Sequence, residues 1–276
     1  MKFELITIWY NEEFLAPFFL NHYRWVDKIR LIIDADTNDD TVAIASQYPN
    51  VTIEYFKFPD MMDDTIKAKK FNQAYHSVSN AEYVILVDSD EFIFCNDVEK
   101  PVSAHIAETA KDIYFVHLWQ IYKHEMDAPL DPTLPVWLQR RHGDPNMNSE
   151  ENLSYIKPCV LRSGLNVIIG RGNHFLCVEN VTISILLNDG GKYIETLNQK
   201  RVTISQKDML QGSHWRLVDV EETIKRRIIN RKWRQSKHNL ENGYTIQYHN
   251  VTKQDILNEY EANKNNPIVI YNRNYS

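Results

Sequence analysis

Hydrophobic and polar positions in the first third of the chain change period several times, and each change predicts a different element. Short apolar runs rich in branched and aromatic side chains predict β-strands. Apolar positions at helical spacing between those runs predict α-helices. The predicted strands cover 3–10, 29–33, 51–56 and 83–87, and the predicted helices cover 15–25, 39–47 and 63–78. This alternating order predicts an α/β fold in which parallel strands are joined by crossover helices.

The fourth predicted strand ends in an acidic turn. The apolar run 83–87 reads as a fully buried strand, and Asp88, Ser89, Asp90 and Glu91 follow it. Open α/β sheets bind ligands at the carboxyl edge of their strands. Asp88 and Asp90 would point to one side of an extended segment, and two convergent carboxylates suit Mg²⁺ or Mn²⁺. The structural alternative is that these residues only form a turn or cap a helix.

The first two predicted strands also end in polar residues, which are Asn11, Glu12, Asp34 and Asp36. Such carboxamide and carboxylate groups suit hydrogen bonds to a base and a ribose, and turn formation explains them equally well. No Gly-x-Gly-x-x-Gly segment follows the first strand, and the sequence contains no P-loop. These absences disfavour a dinucleotide fold of the usual kind and P-loop chemistry.

Four polar segments, taken in order, resemble the family 2 type glycosyltransferases with the GT-A fold. The segments are Tyr10-Asn11-Glu12, the run 34–41 (DADTNDDT), Lys70-Phe71-Asn72 and the run 88–92 (DSDEF). The variant ending in Asp-x-Asp-Glu-Phe resembles bacterial polysaccharide and lipopolysaccharide glycosyltransferases. The match covers most of residues 1–95, with the departure that Asp36 stands where the family often has Gly or Asn.

The resemblance implies a GT-A fold, with a mostly parallel, Rossmann-like nucleotide-binding sheet flanked by helices and with C-terminal helices. It implies that the base and the ribose lie against the ends of the first two strands. It also implies Asp90 as the direct ligand of a divalent ion that bridges the diphosphate, with Asp88 closer to the ribose. The nucleotide-binding residues expected in this way are Tyr10, Asn11, Glu12, Asp34, Asp36, Lys70, Asp88 and Ser89.

The second half of the chain is less regular. Residues 113–119 predict a strand, and in the resembled family such a strand commonly lies beside the metal-bearing one. His174 and His214 stand in segments that we interpret as loops. A third metal ligand on a C-terminal loop is usual in GT-A enzymes and is often His, while a structural histidine is the competing interpretation. Residues expected near the acceptor or the diphosphate are Glu91, Lys157, Trp215 and Arg216, with Arg162 as a further source of positive charge.

An inverting sugar transfer needs a general base on the acceptor hydroxyl, and the resembled family supplies a carboxylate beyond the metal motif. Glu150 and Glu151 lie at a suitable place in the order, within polar segments that we interpret as an acceptor-side lid. Asp144 and Asp127 are the alternatives, and no motif distinguishes the four residues. An ordinary surface loop explains any one of them equally well.

A basic segment near the C-terminus, residues 220–240, has apolar residues at helical spacing and predicts one amphipathic helix. Such a helix can lie on an anionic membrane. Alternatively, it packs on the domain and leaves a basic face in solvent. Residues 254–263 predict a second helix.

Composition narrows the class of protein. The chain has 276 residues and a net charge of −6, which suits one large α/β domain and disfavours nucleic acid as a partner. We expect a single GT-A domain with a nucleotide-sugar-binding half (1–120), an acceptor-side half (121–216) and a C-terminal helical segment (217–276). Three widely spaced Cys indicate neither a zinc site nor disulfides. Without a signal peptide or a membrane-spanning run, we expect a cytoplasmic protein, peripheral at the inner membrane face if 220–240 binds lipid.

The acidic turn and the resemblance together imply an enzyme that uses Mn²⁺ or Mg²⁺ to move a sugar from a nucleotide-sugar, with a UDP-sugar as the expected donor. The expected acceptor is a hydroxyl of a glycan or lipid-linked glycan in bacterial surface polysaccharide synthesis. One alternative is a nucleotidyltransferase, although the Gly-rich basic signature after the first strand is missing. The other alternative is a nucleotide- or carbohydrate-binding protein on a degenerate transferase fold.

Overall fold

The computed structural model describes residues 1–144, 156–178, 181–188, 191–195, 201–203, 209–244 and 246–269. Two of the predicted catalytic residues, Glu150 and Glu151, lie outside these ranges. The first elements are β1 (Phe3–Trp9), α1 (Ala16–His22), β2 (Lys28–Asp34), α2 (Thr41–Ala45), β3 (Val51–Phe56), α3 (Asp64–His76), β4 (Tyr83–Leu86), β5 (Glu91–Phe94) and α4 (Val102–Thr109).

The middle of the chain adds strands to the same sheet and builds a smaller one. The added elements are β6 (Ile113–Tyr122), α5 (Val136–Gln139), β7 (His142–Asp144) and β8 (Ile156–Arg162). The smaller, antiparallel sheet holds β9 (Ile168–Ile169), β10 (Leu176–Val178), β11 (Val181–Asn188), β12 (Gly191–Glu195) and β13 (Arg201–Thr203). The chain then returns to the main sheet through β14 (Leu210–Leu217).

The first half of the main sheet is parallel. Strands β3, β2, β1 and β4 lie side by side in that order, and all three pairings are parallel. In this register Leu5 of β1 lies between Ile29 of β2 and Ile85 of β4. The predicted α/β class, with a Rossmann-like parallel sheet flanked by helices, is confirmed.

Strands β1, β2 and β4 are buried at nearly every position, which explains their predominantly apolar sequences. The edge strand β3 has no buried residue. On one face of β1, Leu5 and Trp9 belong to a core that includes Phe19 of α1. On the opposite face, Ile6 belongs to a core that includes Phe71 of α3. Because successive side chains of a strand alternate between faces, a single apolar run supplies both cores.

The second half of the main sheet is largely antiparallel. Strand β8 pairs antiparallel with both β4 and β6, β6 pairs parallel with β14, and β14 pairs antiparallel with β5. The prediction that the strand at 113–119 lies beside the metal-bearing strand is therefore wrong. Strand β8 separates β6 from β4, with Val160 opposite Ile85 and Leu161 opposite Val84.

The predicted single helix over 220–240 is broken into three parts. It consists of α6 (Val220–Ile224), a π-helical turn over Lys225–Arg231, and α7 (Lys237–Glu241). Between the last two, the backbone bonds to Met62, which donates to the Arg234 carbonyl at 2.8 Å and accepts from the Ser236 amide at 2.9 Å. These tertiary hydrogen bonds replace the intrahelical ones at the break.

Two short helices complete the described C-terminal part, α8 (Ile246–His249) and α9 (Lys253–Asn263). Helix α9 confirms the helix predicted over 254–263. It packs through Ile256 on Leu217 and Ile224. Among the described residues, no helix combines the length and the apolar character that a membrane crossing requires.

We expect one partly buried histidine, His22, to make the stability of this fold depend on pH. His22 ends α1, with its ring at 5.3 Å from that of Phe92 and its Nε2 at 3.0 Å from the Ile93 carbonyl oxygen. Burial lowers the pKa of His22 to about 4, and the carbonyl only partly opposes this shift. The unfolded chain therefore takes up a proton below pH 6.5 that the folded protein does not.

We expect this difference to lower the free energy of unfolding by about 2 kcal/mol between pH 7 and pH 5. The stabilising contribution is complete above pH 6.5 and decreases as the pH falls from 6.5 towards 4. Urea unfolding of the wild type and of His22→Gln at pH 7, 6 and 5 measures it. Between pH 7 and pH 5, the free energy of unfolding of the variant should fall by about 2 kcal/mol less than that of the wild type. An equal fall in both proteins would contradict the lowered pKa of His22.

Candidate active site

A cavity of about 630 Å³ opens where β1, β2 and β4 end. It is lined by residues from the N-terminal strand ends, from the turn after β4, from β14 and from the π-helical turn. The predicted site residues that line it are Tyr10, Glu12, Asp34, Asp88, Ser89, Asp90, Glu91, Lys157, His174, His214 and Arg216. Parallel strands bring their carboxyl ends to one edge of the sheet, and this explains why the residues that follow β1, β2 and β4 meet here.

Asp88 and Asp90 lie in the turn between β4 and β5 rather than in a continuing strand. Asp88 accepts from the Lys67 ammonium of α3 at 2.8 Å and from the Lys157 ammonium of β8 at 3.4 Å. Burial alone would raise the pKa of Asp88, but the two lysines hold it well below its ordinary value. Asp88 is therefore ionised at neutral pH and balanced by protein cations.

Asp90 has a different set of neighbours. Its Oδ2 lies 3.2 Å from His214 Nε2 and accepts from Arg226 at 2.6 Å. Burial would raise the pKa of Asp90, and the adjacent Arg226 and His214 lower it well below its ordinary value. His214 Nδ1 lies 2.6 Å from the Gln120 amide nitrogen, which fixes the imidazole plane so that Nε2 faces Asp90.

His174 is the second histidine at the cavity. Burial and the nearby Lys157 lower the pKa of His174 to about 3, so the imidazole is neutral at physiological pH. Its Nδ1 is buried and has no hydrogen-bond partner among the described residues. The loop geometry depends on Gly172, which has φ +60°, and a Cβ at that position would lie 2.7 Å from the His174 ring.

The donor atoms at this end of the cavity fit a divalent ion. Asp90 supplies an ionised carboxylate, and His174 supplies a neutral imidazole with an unpartnered nitrogen. Within the described part of the chain, no group of three or more His, Cys, Asp or Glu is already arranged to hold a metal. Mg²⁺ and its analogues commonly use one or two carboxylates and complete their shell with substrate phosphates and water. Asp90, together with His174 or His214, would supply the protein donors that such an ion requires.

The other end of the cavity carries aromatic and acidic groups. The Arg234 guanidinium lies 3.7 Å from the centre of the Tyr10 ring, a stacking distance, and it donates to Asp34 at 2.6 Å. Phe58 and Met62 line the same part of the wall. A planar aromatic ring beside a buried carboxylate suits a nucleobase and a ribose hydroxyl.

Three predicted nucleotide-binding residues do not line this cavity. Asn11 exchanges hydrogen bonds with Asn38 at 2.8 and 2.9 Å and holds two loops together. Asp36 pairs with Lys57 at 3.1 Å outside the cavity. Lys70 lies over the Phe56 ring, while Lys67, one turn earlier on the same helix, reaches Asp88.

The prediction that Trp215 lies on a loop near the acceptor or diphosphate is wrong. The segment is strand β14, where His214 and Arg216 face the cavity and Trp215 faces the core. Trp215 is 2% exposed and packs on Phe92, with ring centres 4.8 Å apart. The alternation of side chains along a strand requires this division.

Two candidates for the general base, Asp144 and Asp127, lie within the described residues and have different surroundings. Asp144 of β7 lies directly opposite Gln120 of β6, so the two side chains share one face of the sheet. Gln120 lines the cavity, whereas Asp144 lies on the same sheet face outside the lining. Asp127 instead accepts from the His124 amide at 2.8 Å and pairs with Arg140.

Arg162, predicted as a further source of positive charge, pairs with Asp112 at 2.6 Å and does not line the cavity.

The structure adds a set of cations to the site that sequence reasoning missed. The missed residues are Lys67, Arg171, Arg226, Arg227, Arg231 and Arg234. Together with Lys157 and Arg216 they give the cavity lining eight cations against six carboxylates, a formal excess of two positive charges in a chain whose net charge is −6. This excess favours an anionic ligand.

Comparison with known proteins identifies no family. No family model matches the sequence, and no curated protein matches it. A 4-diphosphocytidyl-2C-methyl-D-erythritol synthase structure shares 13% identity with a TM-score of 0.32, over 59% of this chain and 76% of that one. A mannose-1-phosphate geranyltransferase from Thermus thermophilus shares 12% identity with a TM-score of 0.27, over 48% of this chain and 47% of that one. Likenesses this distant identify neither a family nor an activity.

Proposed function

We propose that this protein transfers a sugar from a nucleotide-sugar, a UDP-sugar being the expected donor, to a hydroxyl of a glycan or lipid-linked glycan. One observation carries the proposal. The Tyr10 and Asp34 end and the Asp88 and Asp90 turn open into the same cavity, whose lining is positive in an otherwise acidic chain. A nucleoside diphosphate has an aromatic base at one end and concentrated negative charge at the other, and the cavity has the complementary order.

The cations beside Asp88 and Asp90 support the binding of a diphosphate at this end of the cavity. Lys157 and Lys67 are held beside Asp88, and Arg226 is held beside Asp90. Asp90, His214 and His174 would hold the proposed Mn²⁺ or Mg²⁺, which when bound neutralises charge that builds on the departing diphosphate. The protein cations add to that stabilisation because they are fixed in place before the reaction.

The acceptor side needs a carboxylate that takes the proton from the attacking hydroxyl. Asp144 is our candidate within the described residues, because it shares a sheet face with Gln120 beside His214. Glu150 and Glu151 remain candidates from the sequence.

A peripheral membrane contact through 220–240 is a further proposal. Arg226, Arg231 and Arg234 face the cavity, so this contact would rest on Ile229 and Trp233, each 69% exposed.

Thermal unfolding tests the binding part of this proposal. We expect one member of a panel of UDP, GDP, CDP and TDP to raise the unfolding midpoint, with a larger shift when Mn²⁺ is present. A ligand at 100 times its Kd stabilises a protein by about 2.7 kcal/mol, which such a scan detects. A metal-independent response to CMP would indicate a different donor chemistry, and no response to any nucleotide would contradict the proposal.

A further inference from the structure

Glu12 holds two arginines of the π-helical turn at the cavity. Its Oε2 accepts from Arg226 Nε at 3.0 Å, and its Oε1 accepts from Arg226 Nη2 at 3.1 Å and from Arg231 Nη2 at 2.5 Å. The Glu12 side chain is only 2% exposed. Both of its oxygens are therefore engaged by arginine, and this leaves them poorly placed for the direct nucleotide contact that the sequence suggests.

The backbone of Glu12 is itself fixed. The Glu12 amide donates to the Thr41 hydroxyl at 2.7 Å, and that hydroxyl donates to Asp39. Glu12 thus lies on a rigid support that links the end of β1 to the start of α2. A buried carboxylate with a fixed backbone is suited to orienting a guanidinium, because the paired fork of hydrogen bonds sets the plane of the group.

The orientation of Arg226 leaves one nitrogen directed at the reactive end of the cavity. Nε and Nη2 bind Glu12, and Nη2 also donates to the Ser89 hydroxyl at 2.9 Å. Nη1 donates to Asp90 at 2.6 Å. Arg226 can therefore exchange its hydrogen bond to Asp90 for one to a phosphate oxygen and keep both hydrogen bonds to Glu12.

The π-helical turn is what brings the two arginines to one carboxylate. In a regular α-helix, side chains five residues apart point about 140° away from each other. The wider turn of a π-helix reduces that angle, and such turns occur frequently at functional sites. Arg226 and Arg231 are five residues apart within the turn Lys225–Arg231, and both line the cavity.

We propose that Glu12 is a positioning residue that presents Arg226 and Arg231 as a pair for the diphosphate of the donor. This inference rests on the proposed function and concerns its diphosphate end, where two guanidinium groups match the two phosphates of a nucleoside diphosphate. Glu12 itself makes no contact with the ligand.

The test is calorimetric titration at fixed Mn²⁺ with UDP, UMP and uridine, or the equivalent series for the base that binds. We expect Arg226→Gln and Arg231→Gln to weaken the diphosphate by about 10-fold or more and to leave the nucleoside within about twofold. Glu12→Gln should weaken the diphosphate by about 3- to 10-fold, and the Glu12→Gln/Arg226→Gln double variant should lose little more than Arg226→Gln alone.

Two controls keep these measurements interpretable. Lys225 lies on the same turn, pairs with Glu13 and does not line the cavity. The Lys225→Gln variant should therefore bind all three ligands with wild-type affinity. Arg226→Lys keeps the charge and loses the fork, so it should fold normally and bind the diphosphate with intermediate affinity.

The outcomes separate this inference from the function on which it rests. If the wild type prefers the diphosphate and the arginine variants keep the same ratio of diphosphate to nucleoside affinity, only the arginine pair is overturned. If the arginine variants lose the preference and Glu12→Gln does not, the positioning role of Glu12 is overturned. A wild type that binds no nucleoside diphosphate would overturn both this inference and the proposed function.

Discussion

Replacing Lys157 by methionine is expected to lower the free energy of unfolding by about 3–5 kcal/mol. Lys157 is buried, and its ammonium donates to Glu91 and, at 3.4 Å, to Asp88. Glu91 is 1% exposed, so its charge is poorly solvated once the ammonium is gone. Breaking a buried pair from one side is costly because the remaining charge stays uncompensated.

A double variant separates this effect from simple loss of packing. In Lys157→Met/Glu91→Gln both charges are removed, and the glutamine oxygen can still accept from the Asp88 amide as Glu91 does at 3.0 Å. Urea unfolding should show that the double variant recovers most of the stability lost in Lys157→Met. Lys100→Met, which breaks an exposed pair with Glu108, should leave the midpoint unchanged. A Lys157→Met protein as stable as the wild type would contradict the assignment.

Asp90→Asn is expected to lower turnover of the nucleotide-sugar by about 10²- to 10³-fold. Asparagine keeps the shape of the side chain and removes the charge that meets His214 and Arg226. Arg226 keeps its two bonds to Glu12, so the fold should survive, and near-ultraviolet circular dichroism should match the wild type. The neutral amide is also a much weaker ligand for a divalent ion.

Steady-state kinetics with saturating Mn²⁺ measures the loss. Asp112→Asn is the matched control, because Asp112 is an exposed carboxylate that pairs with Arg162 away from the cavity. The control should retain wild-type turnover. Undiminished turnover by Asp90→Asn would contradict a role for Asp90 in the reaction.

The parallel half of the fold and the acidic edge of the site were predictable from sequence because their signals are local. An apolar run buried on both faces reads as a strand whatever its neighbours are, and polar residues at its end mark the sheet edge. Tyr10, Asp34, Asp88 and Asp90 all follow this rule, and all line the cavity. The same reasoning misplaced Asn11, which follows β1 but bonds to Asn38.

The basic side of the site was not predictable in this way. Arg226, Arg231 and Arg234 stand in a segment whose composition fits a solvent-facing or membrane-facing helix equally well. Their inward direction depends on the π-helical turn and on the backbone bonds to Met62, and neither has a local sequence signal. In a regular α-helix, residues 226 and 231 would not share a face, so their spacing gave no sign that both line the cavity.

Release of a nucleoside diphosphate from nucleotide-sugars decides whether this protein transfers a sugar. The wild-type protein would be incubated with UDP-, GDP-, CMP- and TDP-sugars, with and without Mn²⁺ and with a glycan or lipid-linked glycan acceptor. We expect release of one nucleoside diphosphate, dependent on Mn²⁺ and faster with acceptor. Tight binding of a nucleotide-sugar without any release would contradict it and would identify a binding protein instead.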